Sequence, residues 1–168
     1  MLGLARSQYP YGIYPRRHRI GELLSLFFIL TETFKALSIL AFLLLAGDFL
    51  STFIYHVPEH ALGNLHCRIH HETKQTFQHY AVLSKHPLVM LDGLLGALPY
   101  IVLAFILWPI SPMGTLLGLA FGEFHVVWRH TTKMGWQTPA QFEKLCRALC
   151  VVTPEEHWVH HENGAIAF

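Results

Sequence analysis

The chain has 168 residues, enough for one domain, with 52% apolar and only 14% charged residues and a net charge of +1. An average globular protein carries roughly 25% charged residues, so this composition is ill-suited to a water-covered surface. The small net charge and the lack of any nucleic-acid motif exclude a nucleic-acid-binding face.

Residues 1–21 form an amino-terminal segment carrying Arg6, Arg16, Arg17 and Arg19, with His18 among them as an interfacial residue. No small-residue cleavage site precedes the long apolar run, so the segment does not read as a signal peptide. A bilayer core of about 30 Å needs about 20 helical residues. Residues 22–55 supply an apolar region, Leu23–Tyr55, interrupted by Thr31, Glu32, Thr33 and Lys35. Its second part, Ala36–Tyr55, is long enough to cross alone. That would strand the amino-terminal arginines on the far side, so a short hairpin or a partly in-plane helix is expected over 22–55.

Residues 56–87 hold the first two histidine groups. Two further apolar stretches follow, Leu88–Ile110 with Asp92 and Pro99, and Met113–Trp128 with Glu123 and His125. The intervening WPISPMG is turn chemistry without a charge. Residues 88–130 are therefore expected to form a transmembrane hairpin. Its flanks carry Arg68, Lys74, Lys85, Arg129, Lys133, Lys144 and Arg147, the positive-inside pattern, which puts both flanks in the cytoplasm. Residues 131–168 supply a cytosolic helix, with Cys146 and Cys150 four apart on its apolar face, and the last histidine group. The three cysteines, with Cys67, form no paired framework and read as reduced thiols. The expected fold is all-α, a single membrane domain over 1–168: an integral membrane helical bundle with a histidine-rich di-metal site at its cytosolic face.

Thirteen histidines outnumber the twelve lysines and arginines, and twelve of them lie between residues 56 and 161. They come in groups: HVPEH (His56, His60), HCRIHH (His66, His70, His71), HVVWRH (His125, His130) and HWVHH (His157, His160, His161). Positions i, i+3 and i+4 share a helix face, whereas adjacent residues diverge by about 100°. In an HxxHH group one imidazole can thus serve one metal while its neighbour serves a second. Ten imidazoles are too many for one ion, and two metals is the natural count. Neutral imidazole suits iron, zinc and copper, and nitrogen-rich sites with open positions suit iron that activates oxygen. Buried carboxylates in such helices need partners. Asp48 and Glu123, near the histidine-bearing ends, are expected to support the ligands from behind. Asp92 is divided between such a role and pairing with an interfacial Arg or Lys. His86, before Pro87, caps or orients; His79 is ambiguous.

Three other readings compete. HVPEH fits the H-x-x-E-H inverted zinc-peptidase pattern, with Glu59 as base, but leaves eight grouped histidines unexplained. A histidine-rich membrane metal-binding or zinc transport protein would need ligands spread across the bilayer depth. A haem-binding cytochrome would need paired histidines in mid-membrane, where only His125 is a candidate.

The series HVPEH, HCRIHH, HVVWRH and TPEEHWVHH, over roughly residues 45–163, resembles the fatty acid hydroxylase and sterol desaturase superfamily of membrane histidine-box enzymes. Asp48 ahead of the first box, His86-Pro87-Leu88 after the second and Thr153-Pro154 before the last add to the resemblance. It implies a four-helix membrane bundle capped by a cytosolic di-iron centre, with zinc possible as a substitute. It implies O2 as co-substrate and an electron donor such as a ferredoxin or a cytochrome b5-type protein. The substrate would be a lipid, hydroxylated or desaturated at a C–H bond. The ten box histidines, His56, His60, His66, His70, His71, His125, His130, His157, His160 and His161, carry over as its metal ligands. The third box departs from the pattern. Its gap puts His125 and His130 about 140° apart on a regular helix, so a kink, a π-bulge or ligation by one of the two is expected there.

Overall fold

The computed structural model describes residues 14–71 and 84–163, and among them the regular elements are all helical. Helix α1 (Tyr14–Leu50) runs through a π-helical segment, Ser51–His56, into α2 (Val57–Ala61). Then come α3 (Leu65–Ile69), α4 (Pro87–Leu107), α5 (Pro112–Arg129), a 3-10 turn at Thr131–Met134, α6 (Ala140–Ala148) and α7 (Pro154–Glu162). His79, Arg6 and Lys74 lie outside the described residues.

The short hairpin expected within 22–55 is absent. From Tyr14 to Ala61 the chain is one helical rod, about 72 Å long at 1.5 Å per residue. The interrupting polar residues are satisfied by the helix itself. The Thr31 hydroxyl donates to the Phe27 carbonyl at 2.8 Å, that of Ser38 to Phe34 at 2.9 Å, and Glu32 pairs with Lys35 at 2.7 Å. With no glycine or proline between Glu22 and Ala46, nothing in the backbone calls for a turn. Residues 19–31 of this rod are all exposed.

The carboxyl-terminal half of α1 is the strut against which the 88–130 region packs. α4 and α5 form two helices joined by Trp108–Ser111, as the proline-rich turn predicts. Pro112 sits in the first turn of α5, and the Ser111 hydroxyl caps it by accepting the Gly114 N–H at 3.2 Å. Gly114 meets α1 backbone to backbone: a Cβ there would lie 2.5 Å from the Ala36 carbonyl. On α4, the Gly96 carbonyl accepts from Ser51 at 2.6 Å, and Tyr100 donates to Leu44 at 3.3 Å.

The interior is inverted relative to a water-soluble bundle. Buried apolar side chains are few, chiefly Leu43, Ile69, Val89 and Leu107, whereas five histidines and Asp92 are buried. Phe27, Phe34 and Phe105 are each more than 70% exposed. Two of the described helices, Arg19–Ala61 and Pro87–Leu107, are long and apolar enough to cross a membrane.

After α5 the chain reverses at Gly135, whose φ of 75° is open to glycine without strain. Cys146 is buried under α6. Cys150 does not join it on the helix face, because α6 ends at Ala148 and Cys150 lies exposed in the following turn with φ 54°.

Candidate metal centre

Four short pieces of chain bring the histidines together, each shaped by local sequence. The π-helical segment ends at His56, and Pro58 starts the next turn, which carries His60. Glu59 folds forward, its carboxylate accepting the backbone N–H groups of Leu65 and His66 at 3.0 and 3.2 Å. It thus caps α3, the helix that carries His66 and leads into His70 and His71. A carboxylate so engaged is not placed as the base of a zinc peptidase. α7 starts with a complete capping box: the Thr153 hydroxyl accepts from Glu156 N–H at 3.3 Å and the Glu156 carboxylate from Thr153 N–H at 3.2 Å. The Thr-Pro-Glu-Glu sequence is therefore what orients His157, His160 and His161.

Eight histidines form two tetrads, His56–His60–His66–His160 and His70–His130–His157–His161, each with four ligand atoms within 4.8 Å of one another. In the first, Nε2 of His56 and Nε2 of His160 are 3.0 Å apart. In the second, the Nε2 contacts run His70–His130 3.0 Å, His130–His157 3.0 Å and His157–His161 3.1 Å. Adjacent residues divide between the tetrads, His160 in one and His161 in the other. His71 stands between them, its ring 4.6 Å from those of both His160 and His161. The Nε2 atoms of His60, His66 and His71 are buried with no hydrogen-bond partner among the described residues. A buried polar atom left unpartnered costs about 1–3 kcal/mol, and a cation removes that cost. The spacings are also those of metal ligands. With metal–nitrogen bonds of about 2.1 Å, neighbouring ligands at right angles lie about 3.0 Å apart and tetrahedral ones about 3.4 Å. The residues present therefore fit metal ions.

Tautomers follow from the partners behind each ring, since a carbonyl or carboxylate only accepts. His130 Nδ1 donates to the Val126 carbonyl at 2.6 Å, and His66 Nδ1 to Asp92 at 3.0 Å. Both rings thereby turn a lone pair on Nε2 toward their tetrad. Asp92 reaches across both clusters. It accepts from Tyr55 at 2.6 Å and from His66 of the first tetrad, and its other oxygen lies 3.7 Å from Nδ1 of His70 in the second. The set His66–His70–Asp92 also gathers ligand-type atoms, but through the backs of two rings whose Nε2 atoms belong to the tetrads. Asp92 is thus tied to histidines and a tyrosine, and no Arg or Lys pairs with it among the described residues. Asp48 and Glu123 act electrostatically on Arg129.

Burial favours the neutral form of His70, His71, His130, His157 and His161. His130 is pushed down to about 3, first by desolvation and then by the Arg129 guanidinium. His71 falls to about 3 and His161 to about 2, through desolvation and neighbouring rings. His70 and His157 lie well below the ordinary value for the same leading reason.

Of the ten histidines singled out by sequence, nine are gathered and His125 is not. Its Nε2 donates to the Val152 carbonyl at 2.9 Å, and it belongs to neither tetrad. α5 stays α-helical to Arg129, and His130 turns off its end as the C-cap residue. No bulge is needed at the third box; the π-helical segment occurs at the first instead. His86 stands at the N-cap of α4 in extended conformation. Comparison with protein-family models, curated proteins and solved structures gives no match.

Proposed function

We propose that this chain is a membrane-bound non-haem di-iron oxidoreductase that hydroxylates or desaturates a lipid C–H bond, using O2 and electrons from a separate donor protein such as a ferredoxin or cytochrome b5-type carrier. The observation that carries the reading is the pair of adjacent imidazole tetrads with His71 between them. All-imidazole ligand sets with open positions suit iron that activates oxygen. Two irons would supply oxygen reduction and C–H oxidation when bound, and the tetrads are the residues that would hold them. The rest is the work of the chain. Asp92 keeps His66 oriented, Val126 fixes His130, and burial keeps the His130 ring neutral and ready to ligate.

Membrane residence accounts for the inverted interior. The carboxyl-terminal half of α1 crosses with α4, whose 21 residues span about 31 Å, and α5 runs beside them. Arg68, Lys85, Arg129, Lys144 and Arg147 all belong to the histidine-bearing end, and the Trp108–Ser111 loop has no charge. The asymmetry around α4 and α5 supports a metal centre facing the cytoplasm, within reach of a soluble electron donor, although Arg16, Arg17 and Arg19 lie at the far end of the rod. A histidine relay for zinc transport would distribute ligands through the bilayer; here they gather at one end. The family resemblance of the histidine boxes agrees with this reading and names its chemistry.

Two measurements test it. Elemental analysis of gently extracted protein should give two iron ions per chain. Lipid mass profiles of cells with and without the protein should differ by an oxygen-dependent gain of 16 mass units or loss of two, the masses of one oxygen or two hydrogens. At most one metal per chain, with unchanged lipids, would sink the proposal.

A further inference from the structure

We propose that α6, with the segment that leads into it, is an interfacial helix that lies in the surface of the bilayer beside the metal centre, its outer apolar edge among the acyl chains. The inference rests on the membrane reading above and adds a surface that reading does not need.

At 100° per residue, Phe142, Leu145, Cys146 and Leu149 fall on one arc of α6, and Glu143, Lys144 and Arg147 on the opposite one. The inner edge of the apolar arc is used by the fold through buried Cys146 and, in part, Phe142. Phe142, Leu145 and Leu149 remain about half or more exposed, as do Met134 and Trp136 just before the helix. Five large apolar side chains in sixteen residues are a costly surface to leave in water.

The helix is held firmly in that pose. Arg147 pairs with Glu143 at 2.7 Å and with Glu156 of α7 at 3.3 Å. Thr138 N–H donates to Glu155, also on α7, at 2.6 Å. The charged edge is thus turned toward the histidine-bearing helix, leaving exposed Lys144 for anionic headgroups.

Continuity identifies bilayer lipid as the occupant. Phe121, Phe124 and Trp128 follow the i, i+3, i+7 spacing of one α5 face, and both phenylalanines are exposed. That stripe reaches α6 directly, because the Trp128 and Phe142 rings meet edge to face at 5.8 Å. Between them lies a cavity of about 230 Å³, with Trp128, Trp136, Phe142 and Pro139 on its apolar side and Thr131 and Thr138 among its polar lining. Such a mixed lining suits the level where hydrocarbon gives way to headgroups. α6 then sets the depth at which α7 presents its histidines.

The test uses the full chain in nanodiscs of phosphatidylcholine and phosphatidylglycerol. Nitroxides are placed at Phe142→Cys and, separately, Lys144→Cys, in a background of Cys67→Ser, Cys146→Ala and Cys150→Ser. Collision with O2 should dominate at 142 and collision with a water-soluble nickel chelate at 144. Hydroxyl-radical footprinting of the unaltered protein provides a second readout free of substitutions. Met134 and Trp136 should be protected to the degree of Phe105 on α4. A label at 142 that prefers nickel, or Met134 and Trp136 oxidised like solvated residues, would overturn the inference while leaving the membrane reading intact. Exclusion of both probes at 142 with cross-linked dimers would overturn it in favour of a second copy. Release of the protein from vesicles by alkaline carbonate would remove the membrane reading itself.

Discussion

The two tetrads use the same ligand and are built by different means. The first takes His56 and His60 from consecutive helical turns at the end of one rod, and both rings are only half-buried. The second takes His70 from the end of α3, His130 from the end of α5, and His157 and His161 from α7; three of its four members are buried. The first also takes His66 from α3 and His160 from α7, both buried, so each tetrad needs three segments to dock. They differ in that half of the first and three-quarters of the second is buried, and only the second draws on α5. The second tetrad is therefore the more deeply embedded of the two in the histidine-bearing end of the fold.

Acid should strike both tetrads, and in the second burial holds all four rings below the ordinary value. An unfolded histidine takes up its proton near 6.5, but His130 resists until about 3 and His161 until about 2. Below 6.5 the unfolded state therefore binds more protons, and stability falls as pH drops toward those values. The slope is up to about 1.4 kcal/mol per pH unit for each histidine so held. Metal-free protein followed by circular dichroism from pH 7 to 4 should lose α7 contacts first, and added metal should move the transition to lower pH. A flat profile above pH 4 would contradict the burial of these rings.

Single substitutions sharpen the contrast. His130 is wholly buried, so His130→Ala should cost about 2–4 kcal/mol in thermal unfolding without metal, and one ion per chain with it. His60→Ala removes a half-buried ring from the first tetrad. It should forfeit one ion at a cost under about 1 kcal/mol to the metal-free fold. Equal destabilisation by the two would erase the distinction drawn here.

Asp92 is where the two tetrads meet. Asp92→Asn should weaken metal binding at both by about 10–100-fold, since one carboxylate orients His66 and lies beside His70. Cobalt(II) titration, read by visible absorption, separates the sites. Loss confined to one would limit Asp92 to that one. Tyr55→Phe removes only the hydroxyl that donates to Asp92 and should shift affinity in the same direction by less.

The histidine groups were legible in the sequence because i, i+3 and i+4 spacing is a local property. The division of His160 from His161 between tetrads follows from the same 100° step. The capping box of α7 can be read from Thr153 and Glu156 in the same way. Asp92 was not legible as the shared support. Its partners His66 and Tyr55 stand 26 and 37 residues away, and nothing local distinguishes it from Asp48 or Glu123. The unbroken rod of α1 was missed for the opposite reason. Thr31, Glu32 and Lys35 look like an interruption until their hydrogen bonds and ion pair are seen to close within the helix.

His125 offers the finest test of how far motif membership determines role. It belongs to the same box as His130, yet its ring is anchored to the Val152 carbonyl, in the strand of chain that leads into the α7 cap. His125→Gln keeps a donor that can reach that carbonyl, whereas His125→Ala does not. Neither should change the number of ions per chain. The alanine variant should lower the melting temperature slightly, by the about 1 kcal/mol of a hydrogen bond, and the glutamine variant should recover part of it. Loss of an ion in both variants would return His125 to the ligand set and require its ring to release Val152 when metal binds. Unchanged metal content with partial rescue by glutamine would fix it as the latch between α5 and the approach to α7, a structural role carried by a residue that the motif alone marks as a ligand.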